Sequence, residues 1–271
     1  MRIIVLGATG NVGGEVTAQA AALGHDVRAV ARHRPADLPA GATFVRGDLN
    51  DASSYADALT GADALFTLPG YGGLADTLAS VPKVVLLSSS AAPSGRKDNA
   101  VAKYMIDSEE TVRGSGVAWT FLRPNAFMSN ALRWLPQLRE GDVIREAFGD
   151  VPLSVVHPAD LAAVAVAALT EDRHDGQAYR LSGPETLSTG ERVRMLGDAI
   201  GRPLTFEALP DDVARAEMLK DTPQPYVDAF FQFYREGLID ETTVQPTFEQ
   251  VMGRPPRTFA DWLAGNADRF R

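Results

Sequence analysis

Short apolar runs alternate with amphipathic or capped stretches along the first half of the chain. The apolar runs predict strands that are covered on both faces, and the stretches between them predict helices. The predicted strands cover residues 3–6, 26–31, 43–45, 64–68, 83–88 and 117–122, and the predicted helices cover residues 15–23, 51–59 and 98–113. Strands and helices that alternate in this way are typical of an α/β fold with a doubly wound parallel sheet, the Rossmann architecture.

The pattern becomes mainly helical beyond Pro124. It predicts helices over 133–140, 211–219, 225–237 and 258–266, an alanine-rich helix that begins at 157–160, a helix after the capping box 188–191, and short strands near Val143 and over 151–156 and 177–181. We therefore predict a Rossmann core over residues 1–125 and a smaller, mostly helical C-terminal part over 126–271, in which 155–182 returns to the core. This C-terminal part should form a lid over a substrate crevice.

The first predicted strand leads into a turn with three glycines, Gly7-Ala8-Thr9-Gly10-Asn11-Val12-Gly13. Gly7 permits the tight turn, Gly10 lets the backbone approach a pyrophosphate, and Gly13 lets the helix lie close to the strand. The free N–H groups at the start of the helix favour a phosphate. The strand before this turn and the helix after it predict a dinucleotide site over residues 7–13; the alternative is a glycine-rich turn that binds nothing.

The residues after the second predicted strand bear on which dinucleotide is preferred. A site for NAD(H) usually has Asp or Glu near this strand end, where it binds the ribose 2′-hydroxyl. Here Ala31 is followed by Arg32-His33-Arg34, and arginine suits a 2′-phosphate because its charge is permanent and its fork is bidentate. We predict NADP(H) held by Arg32 and Arg34, with NAD(H) use left open. The alternative is that both arginines lie in a solvated loop.

Composition narrows the choice of partner and compartment. Acidic residues outnumber basic ones by 35 to 26, for a net charge of −9, which argues against a nucleic-acid partner. The chain has no cysteine and only four histidines, which are scattered, so no metal site is predicted. The longest apolar run, 161–169, is too short to span a membrane. Because residue 3 already lies in a predicted core strand, we expect no signal peptide and a cytoplasmic location. We expect the protein to be a monomer or a homodimer.

Six motifs follow one another in a fixed order over about the whole chain, at residues 7–13, 47–49, 88–91, 115–130, 156–162 and 181–185. The most distinctive is Trp119-Thr120-Phe121-Leu122-Arg123-Pro124-Asn125-Ala126-Phe127-Met128-Ser129-Asn130. In this order the motifs resemble the NmrA-like family, a branch of the atypical short-chain dehydrogenase/reductase superfamily.

The resemblance implies positions around the cofactor. Asp48 would accept a hydrogen bond from the adenine amino group, with Leu49 beside the ring; the alternative is that Asp48 caps a turn. Leu68 and Pro69 would face the ribose and the diphosphate. The nicotinamide end would be flanked by the residues Ser88, Ser89, Ser90, Lys103, Pro124 and Asn125. The serines could instead satisfy the loop backbone, and Lys103 could be a surface lysine.

The chain departs from the superfamily at its Tyr-x-x-x-Lys pair, with which reductases protonate a carbonyl. Tyr104 is followed four positions later by Ser108, and Lys103 lies on a different face of the helix. Ordinary ketone reduction is therefore disfavoured, whereas hydride transfer to a quinone or enone needs little simultaneous proton donation. No catalytic residue is assigned, and the weak candidates are Ser89, Lys103 and Asn125.

The substrate contacts are predicted at the two strand ends and in the lid, at Ser90, Phe127, Met128, Trp134 and Phe230. The aromatic residues could also be ordinary helix core. We predict an NAD(P)H-dependent oxidoreductase that acts on a quinone-like or polycyclic aromatic small molecule. Two alternatives stay open: a non-catalytic NAD(P) sensor that binds a protein partner, and a tailoring enzyme (oxygenase or isomerase) with an auxiliary dinucleotide site.

Overall fold

The computed structural model describes residues 1–271. Its strands are β1 Arg2–Leu6, β2 Asp26–Ala31, β3 Ala42–Arg46, β4 Ala64–Thr67, β5 Lys83–Leu87, β6 Ala118–Pro124, β7 Val143–Glu146, β8 Gln177–Leu181 and β9 Thr205–Ala208. Seven of them form one parallel sheet in the order β3-β2-β1-β4-β5-β6-β8. The strand order reverses between β1 and β4, and ligands of such sheets bind outside the carboxyl ends of the strands at this point. The predicted doubly wound sheet is confirmed.

Eleven α-helices connect and cover the strands. They are α1 Asn11–Ala22, α2 Ala56–Leu59, α3 Leu74–Leu78, α4 Ala100–Gly114, α5 Leu135–Glu140, α6 Pro158–Thr170, α7 Thr189–Ile200, α8 Asp211–Met218, α9 Gln224–Tyr234, α10 Thr247–Met252 and α11 Phe259–Asn266. Short 3₁₀ turns cover Ala52–Tyr55, Ala92–Ser94, Met128–Trp134, Asp172–His174 and Ala267–Phe270. Ser188 and Glu191 form the predicted capping box at the start of α7.

Two helix layers bury the faces of the large sheet. On one face α1 and α6 pack against each other and against β1, β4 and β5, with Val16 and Leu161 fully buried. On the other face the side chains from β1, β4 and β5 meet Tyr55, Leu78 and Val112. The strands of this sheet are apolar because both of their faces are covered.

The region from 155 to 182 contributes α6 and β8 to this core: α6 covers one face, and β8 extends the sheet beside β6. The lid has a core of its own, in which Trp134, Phe259 and Trp262 are buried among the helices α5, α7 and α11. The strands β7 and β9 pair in a separate parallel sheet that also belongs to this part.

The structure corrects several predicted elements. Residues 151–156 are not a regular strand, because they pair only through single bridges at Leu153 and Val156. Pro152 lies within this run and has no backbone donor for a ladder. The prediction also missed α3, α10 and β9, which are short and carry weak apolar patterns. The helix α1 begins at Asn11, four residues earlier than predicted.

Candidate functional site

Two glycines of the turn after β1 cannot be replaced by a larger residue without strain, for different reasons. Gly7 has φ +72°, and a β-carbon there would lie 2.6 Å from Leu68 Cδ1. A β-carbon on Gly13 would lie 2.3 Å from the carbonyl oxygen of Gly7. Gly10 is different, since its φ is −80° and its β-carbon would meet only the Gly7 oxygen, at 3.3 Å. The left-handed backbone at Gly7 and the backbone contact at Gly13 therefore require glycine, whereas Gly10 leaves space outside the turn.

The start of α1 presents backbone donors at the carboxyl edge of the sheet. No side chain caps this helix, and no acidic residue lies in its first turn. Thr9, Gly10 and Asn11 are exposed there, whereas Val12 is 4% exposed and packs in the core. An uncapped helix start with exposed flanking residues fits the pyrophosphate of a dinucleotide. These residues would hold NAD(P)H, with Val12 contributing only its backbone.

A cleft lies beside the carboxyl ends of β2 and β3, where the second ribose of a dinucleotide would lie. It is lined by Arg32, His33, Arg46, Gly47, Asp48 and Ser54. The predicted Arg34 is exposed and does not line this cleft. The second arginine that lines the cleft is Arg46 instead. It lies at the end of β3, in register with Ala31 at the end of β2. Two guanidinium groups thus line the cleft, although not the pair that the sequence predicted.

The structure changes the interpretation of Asp48 and Leu49. The Asp48 carboxylate accepts hydrogen bonds from the backbone N–H of Asn50, at 3.0 Å, and from the Asn50 side chain, at 3.3 Å. It therefore caps its own turn, although it stays exposed to the cleft. Leu49 is only 7% exposed and belongs to the sheet core. A contact of the Leu49 side chain with the adenine ring is not supported, because packing already uses that side chain.

The serines after β5 have three different environments. Ser88 is buried and donates a hydrogen bond to Glu109 Oε1 at 2.6 Å. Glu109 also pairs with Arg123, through contacts of 2.9 and 2.6 Å, so Arg123 has a structural role. Ser89 is partly exposed and accepts a hydrogen bond from the backbone of Ala91. Of these three serines, Ser89 alone remains accessible for a ligand; Ser88 is committed to the scaffold.

Asn125 follows β6 and is fully engaged in the protein. Its amide donates to Ser154 Oγ at 2.8 Å and to the carbonyl oxygen of Glu241 at 3.3 Å, and its oxygen accepts from Arg180 at 3.2 Å. It is 2% exposed. Asn125 therefore positions the loop after Pro124, and the structure does not support it as a catalytic candidate. Pro124 is buried at the end of β6, in register with Leu181 of β8.

The helix α4 has no counterpart of the superfamily's catalytic pair. Lys103 is exposed and forms an ion pair with Asp107 one turn later. Ser108, at the position where the superfamily has lysine, is buried and accepts a hydrogen bond from the backbone of Gly70 at 2.9 Å. Tyr104 packs against Gly70, and burial raises the pKa of its phenol. The residues that surround Tyr104 thus build the loop after β4, which also carries Leu68 and Pro69.

A cavity of about 330 Å³ lies within the lid, next to Ala126 at the end of the loop after β6. Its aromatic walls are Trp134, Phe148, Phe230 and Tyr234. Trp134 and Phe230 were predicted as substrate contacts. Phe127 packs instead against the α1–α6 layer, and Met128 is completely buried in the lid core. Those two predicted contacts are not supported by the structure, since neither residue lines the cavity.

A buried chain of hydrogen bonds connects this cavity with the end of β5. Tyr234 donates to Glu241 Oε2 at 3.1 Å, and Ser90 donates to Glu241 Oε1 at 2.6 Å. Burial raises the pKa of the Glu241 carboxyl and holds the pKa of the Tyr234 phenol well above its ordinary value. Ser90 therefore orients a buried carboxyl group rather than facing the cavity, and Tyr234 presents a neutral phenol.

Sequence reasoning missed Arg46, Arg192, Tyr234 and Glu241. Arg46 had a usable signal, because the carboxyl ends of neighbouring parallel strands lie at one edge. Glu241 had none, since its partner Ser90 lies 151 positions away. Phe148, a lid aromatic, lines the cavity and has a φ of +56°, an unusual conformation for a bulky residue. His157 caps α6 through Nδ1, as its position in the sequence suggested.

The structure has no cluster of three or more His, Asp or Glu residues that could hold a metal ion. None of its helices is both long enough and apolar enough to cross a membrane.

Comparison with known proteins agrees with this geometry. A family model described as NAD(P)H-binding matches residues 7–172. The chain is 40% identical to (4-alkanoyl-5-oxo-2,5-dihydrofuran-3-yl)methyl phosphate reductase of Streptomyces griseus and 31% identical to NAD(P)H azoreductase of Xenophilus azovorans, over 99% of both chains in each case. The NADPH complex of the Escherichia coli NADPH-dependent quinone oxidoreductase superposes with a TM-score of 0.74 at 23% identity, covering 98% of this chain and 99% of that one.

The fold, the glycine turn and the named relatives together define the class of protein: it is an NAD(P)H-dependent oxidoreductase. The chain belongs to the NAD(P)H-binding family, within the NmrA-like and atypical short-chain dehydrogenase/reductase superfamily that its motifs indicated. The predicted oxidoreductase is thereby confirmed. The sensor and the oxygenase or isomerase alternatives gain no support from these relatives.

Proposed function

We propose that this protein uses NADPH to reduce a small, electron-poor conjugated compound, such as an acyl-substituted unsaturated lactone or a quinone, in the lid cavity. The observation that carries the proposal is the cavity itself, which has aromatic walls and adjoins the loop after β6. Its volume of about 330 Å³ suits a compound of one or two rings better than a large polycyclic one. The similarity to the lactone phosphate reductase supports the same acceptor class.

The residues around the glycine turn would hold the pyrophosphate, and Arg32 with Arg46 would hold a 2′-phosphate. When bound, the cofactor supplies a hydride at its nicotinamide. The protein's own contribution is to orient a flat acceptor by contact with Trp134 and Phe230 and to exclude water from it. A conjugated acceptor suits this site, because delocalisation stabilises the negative charge that hydride addition leaves on its oxygen.

The Tyr234 phenol lies in the cavity wall, and it can donate a hydrogen bond to that oxygen once its single O–H turns away from Glu241 Oε2, to which it donates at 3.1 Å in this structure. The Tyr234 phenol stays neutral because burial raises its pKa. The site therefore differs from that of a ketone reductase, where a tyrosine and a lysine on one helix supply the proton.

The test measures NADPH oxidation with three acceptors: an alkanoyl unsaturated lactone, a quinone and a simple ketone. We expect turnover with one or both conjugated acceptors and little with the ketone. Phe230 is partly buried in the cavity wall, so Phe230→Ala should raise KM for the acceptor several-fold and leave the Kd of NADPH within twofold. Efficient reduction of the ketone, or no turnover with any acceptor, would contradict the proposal.

A further inference from the structure

The lid cavity contains a buried arginine that has no acidic partner. Arg192 on α7 is 4% exposed and lines the cavity. Its Nη2 donates to Thr189 Oγ1 at 2.8 Å, and its buried Nε has no hydrogen-bond partner. A guanidinium keeps its charge in proteins, and a buried charge normally has an ion-pair partner. Arg192 makes no ion pair in this structure, so its charge is compensated only by its neighbours' dipoles and by more distant carboxylates.

The carboxylates that line the cavity already have partners. Glu146 accepts hydrogen bonds from Arg133 Nη2 and from Trp134 Nε1, each at 3.1 Å. Glu217 pairs with Lys220 at 2.6 Å. Neither carboxylate is within ion-pair distance of Arg192, although the charge of Glu146 acts on it from farther away. The Arg192 guanidinium is therefore a positive charge in the cavity wall that has no ion-pair partner.

The guanidinium is also held in place from two sides. Its central carbon lies 5.9 Å from the centre of the Trp134 ring, and Thr189 accepts a hydrogen bond from it within the same helix. Such support reduces the loss of side-chain entropy when an anion binds. The Nε–H is enclosed by protein, whereas Nη1 makes no hydrogen bond, so an anion would contact the guanidinium through its terminal nitrogens. A fixed guanidinium with an unpaired terminal N–H is suited to the oxygens of a phosphate or a carboxylate.

From this arrangement we infer that Arg192 is the anion-binding residue of the substrate site and that the acceptor carries a phosphate monoester. The inference rests on the proposed function, because it concerns a substrate of the same cavity. The choice of phosphate over carboxylate follows from the 40% identical relative, whose name specifies a methyl phosphate substituent on a conjugated lactone. The cavity would then discriminate by charge at Arg192 and by shape at its aromatic walls.

The test uses a matched pair of ligands: an (alkanoyl-oxo-dihydrofuranyl)methyl phosphate and the corresponding free alcohol. Wild-type protein should bind the phosphate about ten- to a hundredfold more tightly than the alcohol, since hydrogen bonds between charged groups have this magnitude. Isothermal titration in the presence of NADP⁺ measures both affinities without turnover. A carboxymethyl analogue of the phosphate is a third ligand, and equal or tighter binding of this carboxylate would contradict the choice of phosphate.

Arg192→Met should remove the preference for the phosphate and leave the alcohol affinity within about threefold, because methionine keeps the apolar contact with Trp134. Arg192→Lys should retain part of the preference, since lysine supplies charge without a fork. The matched control is Arg145→Met, which also changes a cavity-lining arginine, but one that is half exposed and paired with Glu207 at 2.7 Å. This control should keep the wild-type ratio of affinities.

Several results would overturn the inference: equal binding of phosphate and alcohol by the wild type, an unchanged ratio in Arg192→Met, or the same loss in Arg145→Met. The first comparison needs no variant, so a variant that fails to fold does not remove the test. Failure of the proposed function gives a different result, namely no NADPH oxidation with any conjugated acceptor while phosphate binding still depends on Arg192. Reduction of the alcohol or of a quinone with no preference for phosphate would refute the anion subsite alone.

Discussion

The glycine turn offers a sharp test, because its glycines differ in the space around them. Gly10 has an extended conformation that valine readily adopts, and a β-carbon there makes one tight contact, 3.3 Å from the Gly7 oxygen. Valine would restrict the unfolded chain, which stabilises by roughly 0.4–1 kcal/mol. It is also a poorer N-terminal cap than glycine, which costs a similar amount. We expect Gly10→Val to change the free energy of unfolding by no more than about 1 kcal/mol.

The effect of Gly10→Val on cofactor binding should be much larger. Its isopropyl group would occupy the exposed side of the turn, where the pyrophosphate must approach the first N–H groups of α1. Loss of two hydrogen bonds to charged oxygens costs about 3 kcal/mol or more, which corresponds to an increase of more than about a hundredfold in the Kd of NADPH. Fluorescence titration with NADPH measures this change, and thermal unfolding should show a melting temperature within about 4 °C of the wild type.

Two neighbouring glycines supply the controls. In Gly14→Ala the β-carbon lies 3.5 Å from the Ala8 oxygen, an ordinary contact, so NADPH binding should persist and helix stability should rise by up to about 1 kcal/mol. In Gly13→Ala the β-carbon would lie 2.3 Å from the Gly7 oxygen, so overpacking should destabilise the fold by roughly 1–3 kcal/mol. Tight NADPH binding by a natively stable Gly10→Val protein would show that this turn is not the cofactor site.

Two further predictions concern the ends of the site. Arg46→Ala and Arg32→Ala should each lower the ratio of NADPH to NADH affinity by about tenfold or more, whereas Arg34→Ala should leave it unchanged. An effect in Arg32→Ala and Arg34→Ala, with none in Arg46→Ala, would restore the pair predicted from the sequence. Burial raises the pKa of Glu241 in the folded protein, so the native state binds its proton more tightly than the unfolded state does. The free energy of unfolding should therefore fall as pH rises from near 4.5, the ordinary pKa of a glutamate, through the raised pKa of Glu241. In urea unfolding, Glu241→Gln should lose this part of the pH dependence. Parallel pH profiles of the wild type and the variant would contradict the prediction.

The sheet could be predicted from the sequence because its signals are local. The bounds of β2 and β8 were predicted to the residue, since each is followed or preceded by polar residues and glycine turns. The strand β9 was missed because its four residues have one large apolar side chain and are mostly exposed. The strand predicted over 151–156 failed for a different reason: its apolar pattern ends in the buried Val155 and Val156, but only Leu153 and Val156 form bridges to other segments.

The candidate site was predictable only where it is contiguous in the sequence. Residues 7–13 cover one turn and the start of α1, so their roles could be predicted from their spacing alone. Arg46 follows the predicted third strand, so its place at the same edge could have been inferred, but its position opposite Ala31 follows from the register of the assembled sheet. The contacts of Glu241 with Ser90 and Tyr234 depend on how the lid folds back on the end of β5. Burial of Arg192 without a partner is a property of the packed lid, which no short pattern encodes.

The position of Ser108 explains why the missing tyrosine–lysine pair does not leave an incomplete copy of a ketone-reductase site. A lysine there would lose the hydrogen bond that Gly70 N–H donates to Ser108 Oγ, and it would place a charge in a buried position. Ser108 thus stabilises the loop that carries Leu68 and Pro69, which were predicted to face the cofactor. In the proposed function, the polar groups for the acceptor come instead from the lid, from Tyr234 and Arg192. Because no lysine lowers the phenol's pKa in that environment, the site is suited to acceptors whose conjugation stabilises the charge left by hydride addition.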